Sequence, residues 1–144
     1  MPDLHGHARI HPWRAQEGII PAVAIYEPDW RSGLHVPTRI RRTDGELLGI
    51  AGLWEEWTDR AGQIVRSYTM LTINADTHPI FKELHRPDPK RPPDMQDKRM
   101  VVILPRGLYV DWLDAPAEKT IDFMRQFPAD RLVAEAQPRE PRAG

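Results

Sequence analysis

The chain has 144 residues, 40% of them apolar, and a formal net charge of −1, enough for one domain with a core and too short for two comfortable ones. A net charge so near zero excludes a global positive field and leaves only a local basic groove for any nucleic acid. There is no cysteine, which excludes disulfides and thiolate metal sites and fits a reducing compartment. No stretch approaches the roughly 20 apolar residues that span a bilayer, and Met1 to His7 lacks the apolar centre of a signal peptide. The expectation is a soluble, cytoplasmic protein with no metal and no other cofactor.

Residues 1–16 are polar and aperiodic and read as a flexible arm. The spacing of His5, His7 and His11 could hold a metal, but an arm without structure is a poor cage for one. Residues 17–136 read as a single domain. Ile19 to Tyr26 is apolar and β-branched, the pattern of a buried strand. Glu27 ends it, and Pro28-Asp29-Trp30-Arg31-Ser32-Gly33 supplies turn chemistry. Val36 to Arg42 alternates like a half-exposed strand, and Thr43-Asp44-Gly45-Glu46 reads as a hairpin turn. Leu47 to Trp57 and Gln63 to Asn74 follow, completing a meander of about four antiparallel strands. On the first of these, Trp54 is expected in the core and Trp57 at a surface or cleft.

A short helix is expected from His78 to His85, with Thr77 as its cap. Of the fifteen prolines, Pro79, Pro87, Pro89, Pro92, Pro93 and Pro105 fall between His78 and Pro105, so the stretch 86–98 reads as a Pro-rich insertion. Arg99 to Leu104 returns as a strand. Pro105 to Asp114 and Glu118 to Gln126 read as helices, Leu132 to Ala134 as a last strand, and 137–144 as a tail. The predicted class is α+β, with a strongly bent, barrel-like antiparallel sheet and short flanking helices.

Glu27 is the first candidate for chemistry. It closes a nearly all-apolar strand, so its carboxylate sits at the rim of the core, where a tuned pKa suits acid–base work. The bland alternative is a solvated strand end or an ion pair to Arg31 or Arg39. Lys90, Arg91, Lys98, Arg99 and Arg106 form a local basic set, and Trp30 or Tyr68 could stack bases, although Asp88, Asp94 and Asp97 interleave with the cations. A dyad of Ser67 with His85 is conceivable, with nothing to mark Ser67 as activated. No dinucleotide-binding, phosphate-loop or nucleophile-elbow motif is present.

The order Gly49-Ile50-Ala51-Gly52-Leu53-Trp54-Glu55-Glu56-Trp57, Tyr68-Thr69-Met70-Leu71-Thr72 and Arg99-Met100-Val101-Val102-Ile103-Leu104-Pro105 resembles the SRAP (SOS-response-associated peptidase) family, whose proteins process abasic sites in single-stranded DNA. The resemblance covers roughly residues 17 to 115. It implies that Tyr26-Glu27, with Trp30 two places beyond the family's position, carries the active-site Glu. It implies a histidine before the Arg99–Leu104 strand, and two alignments compete for it. Either Gln96 has replaced it, or His85 is that residue and 86–97 are inserted. The second is favoured, because the Lys82-Glu83-Leu84-His85 rhythm resembles the family's and prolines tolerate insertion, and Glu27 and His85 are then the expected catalytic pair. From the basic and aromatic set, Trp30, Lys98 and Arg99 are the expected DNA contacts.

The family works through an N-terminal cysteine that condenses with the abasic aldehyde to form a DNA–protein crosslink, and this chain has none. The expectation is therefore a shortened or divergent SRAP-like domain whose chemistry is incomplete, leaving open whether it is an enzyme. Pro2, a secondary amine once Met1 is removed, could replace half of the cysteine chemistry. The alternative is a non-catalytic module that binds single-stranded DNA or a protein.

Overall fold

The computed structural model describes residues 15–140. Among these residues eight strands and a few short helices build an α+β fold that is mostly sheet: β1 (Gln16–Ala22), β2 (Ile25–Asp29), β3 (Val36–Arg42), β4 (Leu48–Thr58), β5 (Ile64–Met70), β6 (Thr72–Asn74), β7 (Arg99–Val101) and β8 (Leu132–Ala136). The one α-helical turn among the described residues, α1 (Tyr109–Leu113), is preceded by a 3-10 turn at Arg106–Leu108; others lie at Phe81–Glu83, Ala117–Phe123 and Ala129–Arg131. The helix expected over 118–126 is thus a 3-10 segment, and Leu108 and Leu113 of the 105–114 helix stay largely exposed while Trp112 is buried.

The sheets are not closed into a barrel. They form three antiparallel groups, β1-β4-β5, β2-β3-β8 and β6-β7. Each long strand read from the sequence is cut where it changes partner. The apolar run 19–26 becomes β1 on β4 and β2 on β3, with the break at Val23–Ala24. Leu71 interrupts the run 63–74, because its N–H goes to the Ala51 carbonyl and its own carbonyl accepts from Val102. Asp44-Gly45 is a true turn, with Gly45 at φ 76° and the Asp44 carboxylate accepting from the Glu46 N–H at 3.0 Å. It is not a hairpin, since the strands it joins, β3 and β4, belong to different sheets. The meander expectation fails for this reason.

The core follows from β4. Leu48, Ile50 and Ala51 are fully buried, between β1 on one side and the segment 102–104 on the other, where Val102 and Ala51 pair and Leu104 donates to Gly49. Ile40, Ala75, Phe81, Leu84, Met100, Val101, Ile103, Phe127 and Leu132 complete the larger cluster with Leu48 and Ile50; Ala51, Val102, Leu104 and Trp112 form the smaller. Trp112 satisfies its one polar atom by donating to the Gly18 carbonyl at 2.9 Å, as a buried indole must. Trp54 and Trp57 are both half-buried; the core lies at the other end of β4.

Candidate acid–base site and cleft

β2 is an edge strand of its sheet, so Pro28 costs it no ladder hydrogen bond. The free edge is used by a distant piece of chain. After the turn Phe81–Glu83, Leu84 bridges to Asp29 and the His85 N–H donates to the Pro28 carbonyl at 2.6 Å. His85 then takes φ 64°, a left-handed conformation that histidine tolerates better than most residues at a cost of about 1–2 kcal/mol. Its Nε2 lies 2.8 Å from Glu27 Oε2. Burial pushes the Glu27 carboxyl above its ordinary value, and the charge and hydrogen bond of His85 draw it part of the way back. A carboxyl and an imidazole held in contact can pass a proton between them and to a third group.

The turn before His85 is not capped as expected. Thr77 accepts a hydrogen bond from Gln126. His78, which the sequence did not single out, does the capping: its Nδ1 accepts from the N–H groups of Ile80 and Phe81 at 3.2 and 3.3 Å. Its Nε2 meets the Phe127 carbonyl at 2.7 Å, and a carbonyl can only accept, so the proton is on Nε2. His78 is buried structure, legible only once its partners are known.

The residues around position 97 serve the same turn. Lys98 is nearly buried, and its Nζ donates to the Leu84 carbonyl at 2.5 Å and the His85 carbonyl at 2.8 Å, so its ammonium is taken up by backbone. Asp76 holds this stretch from the other side, accepting from the N–H groups of Lys98 at 2.7 Å and Asp97 at 3.1 Å. These bonds, with one from Asn74, keep the Asp76 carboxyl below its ordinary value, the Asn74 bond first among them. Gln96 stands apart from the pair. Its Oε1 accepts from the Asp88 N–H at 2.7 Å, and its Nε2 donates to the carbonyls of Asp88, Arg91 and Pro92 at 2.9–3.2 Å. Of the two residues that competed for the family's histidine position, His85 is the one beside Glu27.

A cleft of about 540 Å³ opens next to His85, bordered by Trp30, Arg31, Lys82, Arg91, Gln96 and Lys98 among others. Arg86 stacks over the Trp30 ring at 5.3 Å and His35 meets its edge at 5.7 Å. Arg31 is tied into a fork with Asp29, which lowers the Asp29 carboxyl. The fold thus brings together Glu27, His85, Trp30 and Lys98. Arg99 lies outside the cleft lining, donating to the Thr72 carbonyl at 2.9 Å and close to Asp97. The sequence missed Arg86, for which adjacency to a candidate histidine was the one available signal. Ser67 sits on β5 opposite Glu55, in a different sheet from Glu27. Pro2, His5, His7 and His11 lie outside the described residues. Among the described residues no group of three or more His, Asp or Glu is arranged to hold a metal ion, and no helix is long and apolar enough to cross a membrane.

The chain is 28% identical over 119 residues to the abasic site processing protein YoaM of Bacillus subtilis, covering 81% of this chain and 45% of that protein. It is 26% identical over 119 residues to YobE of the same organism, which carries the same description, covering 81% and 47%. The chain therefore spans about half the length of these relatives. A crystal structure of a Bordetella bronchiseptica protein superposes with a TM-score of 0.76 at 58% identity, over 85% of this chain and 55% of that one. A Bacteroides thetaiotaomicron protein shares the fold, with a TM-score of 0.70 at 18% identity over 87% and 50%. The model of the SOS response associated peptidase (SRAP) family matches residues 9–138, and the chain belongs to that family.

Proposed function

We propose that this chain takes part in abasic-site processing on single-stranded DNA, with Glu27 and His85 as its acid–base pair. The observation that carries the reading is their 2.8 Å contact at the mouth of a cleft lined by the Trp30 ring and by charges of both signs, Arg31, Lys82, Arg91 and Lys98 with Glu83 and Asp88. The description borne by the two Bacillus relatives supports the substrate. An opened abasic sugar presents an aldehyde. An amine adds to it, and the carbinolamine loses water to give an imine or iminium. A carboxylate–imidazole pair suits both halves, taking the proton released by the amine and returning one to the departing hydroxyl. Trp30, stacked by Arg86, would support a base beside the lesion, and Arg91 and Arg99 would meet phosphates. In this assignment Lys98 is not a phosphate contact, because its ammonium already serves two carbonyls.

The chain has no cysteine, so an adduct formed by this chain alone is an amine adduct, reversible until reduced. The test is incubation with single-stranded DNA carrying one abasic site, with and without borohydride, resolved on a denaturing gel. A borohydride-dependent adduct that Glu27→Gln or His85→Ala slows by about 10²-fold is the expected result. An adduct indifferent to both substitutions would remove the pair from the mechanism. Binding without any adduct would make the chain a recognition module, and the absence of both would confine the reading to the fold.

A further inference from the structure

The pair at Glu27 and His85 depends on a backbone turn that a strand residue would not adopt unaided. His85 has φ 64°, its N–H is held by the Pro28 carbonyl one residue beyond Glu27, and the carbonyls on either side of its Cα and N–H unit, those of Leu84 and His85, converge on one cation. That cation is the Lys98 Nζ, at 2.5 and 2.8 Å. A lysine ammonium is a compact point donor with three hydrogens, so it can satisfy two carbonyls that point to a common centre. The left-handed turn at His85 is the backbone between these two carbonyls.

Lys98 is itself fixed at its other end. Its N–H goes to Asp76 Oδ1 at 2.7 Å, and the neighbouring Asp97, at φ 56°, gives its N–H to Asp76 Oδ2. Asp76 and Glu83 are the acidic groups whose charges act on the ammonium. The chain of contacts therefore runs Asp76, Lys98, the Leu84–His85 peptide, imidazole, Glu27.

We infer that Lys98 is a positioning residue, whose ammonium holds the Leu84–His85 peptide in the turn that sets the imidazole against Glu27. Its consequence for catalysis rests on the acid–base reading above, but the positioning itself has a readout that needs no activity. Glu27 is drawn down by His85, so a displaced imidazole releases the carboxyl to titrate higher, and carboxyl-carbon NMR follows that directly.

In Lys98→Met the Glu27 midpoint is expected to move up, toward its position in His85→Ala. In the double variant Lys98→Met/His85→Ala it is expected to stay where His85→Ala alone puts it. Lys98→Arg, which can donate to both carbonyls, should return it toward wild type. An unmoved midpoint in folded Lys98→Met overturns the inference, as does a further rise in the double variant, which would mean that Lys98 acts on Glu27 by its charge alone. Should Lys98→Met not fold, Lys98→Gln keeps a neutral amide NH2 on a shorter side chain and must give an intermediate midpoint; a wild-type midpoint there overturns the inference equally. Failure of wild-type protein to react with abasic DNA would sink the functional reading and leave these titrations as decisive as before.

Discussion

Glu27 Oε2 and His85 Nε2 stand 2.8 Å apart although they come from unlike pieces of chain, one an edge strand and the other the end of a 3-10 turn. The contact exists because the Leu84–His85 peptide docks on the β2 edge that Pro28 leaves available. Burial of the carboxyl raises its pKa against the opposing pull of the imidazole, which gives the site a pH signature in stability. An acid whose folded-state pKa lies above its unfolded value favours the folded state below the unfolded value, near 4.5, and that contribution is lost as pH rises through the folded value. Glu27→Gln has no such proton. The stability of wild type relative to Glu27→Gln is therefore expected to fall as pH rises from about 4.5, measured by urea melts across the series. A flat difference would show that burial does not disfavour the Glu27 charge.

Asp76 gives the opposite sign. Its carboxyl is lowered by hydrogen bonds from the Asn74 side chain and the N–H groups of Lys98 and Asp97. An acid with a depressed folded-state pKa adds stability that is complete above its unfolded value, near 3.8, and lost as pH falls through the folded one. Asp76→Asn should be less stable than wild type at neutral pH, and the two acid-denaturation curves should converge as pH falls below that value. Parallel curves would mean that the carboxylate charge contributes nothing to this turn.

Much of this was legible in the sequence, and the exceptions share a cause. Val36–Arg42 is the strand its alternation described, and Glu27 was marked by a charge ending an apolar run. The barrel and the meander were wrong because alternation and turn chemistry say where strands lie, not which strands pair. Asp44-Gly45 makes the same local turn whether or not its flanks join. Lys98 was read as a phosphate contact because sequence shows a cation but not the two carbonyls that use it. His78 escaped notice for the mirror reason, since its task is set by Phe127 and the turn it caps. The contact of His85 with Glu27 could not be read from the residues alone; the family resemblance pointed to it as the favoured of two alignments.

The Pro-rich stretch tests a different kind of order. Gln96 is bonded to Asp88, Arg91 and Pro92, so one amide closes the loop that borders the cleft. Removing it should cost about 1 kcal/mol of local stability, near a fivefold gain in loop opening. Limited tryptic proteolysis at the Lys90–Arg91 bond is the measurement, and Gln96→Ala should be cut roughly fivefold faster with the global melt little changed. Equal cleavage rates would show that the prolines alone hold the loop.

Gly52 is the sharpest test of the core arrangement. It lies in β4 between Gly18 of β1 and Met70 of β5, at the point where the chain leaves β5 and Leu71 turns back to Ala51. A Cβ built there would come within 2.8 Å of the Thr69 carbonyl oxygen and 3.2 Å of the Ile20 side chain. The isoleucine can shift, but the carbonyl belongs to the paired backbone and cannot move without opening the β4–β5 ladder. Gly52→Ala is therefore expected to destabilise by about 1–3 kcal/mol, lowering Tm by roughly 3–10 °C. At Gly107 the added methyl meets nothing within 4 Å, so Gly107→Ala should stay close to wild type. If the two variants melt alike, β4 and β5 are not as closely apposed as the strand register requires.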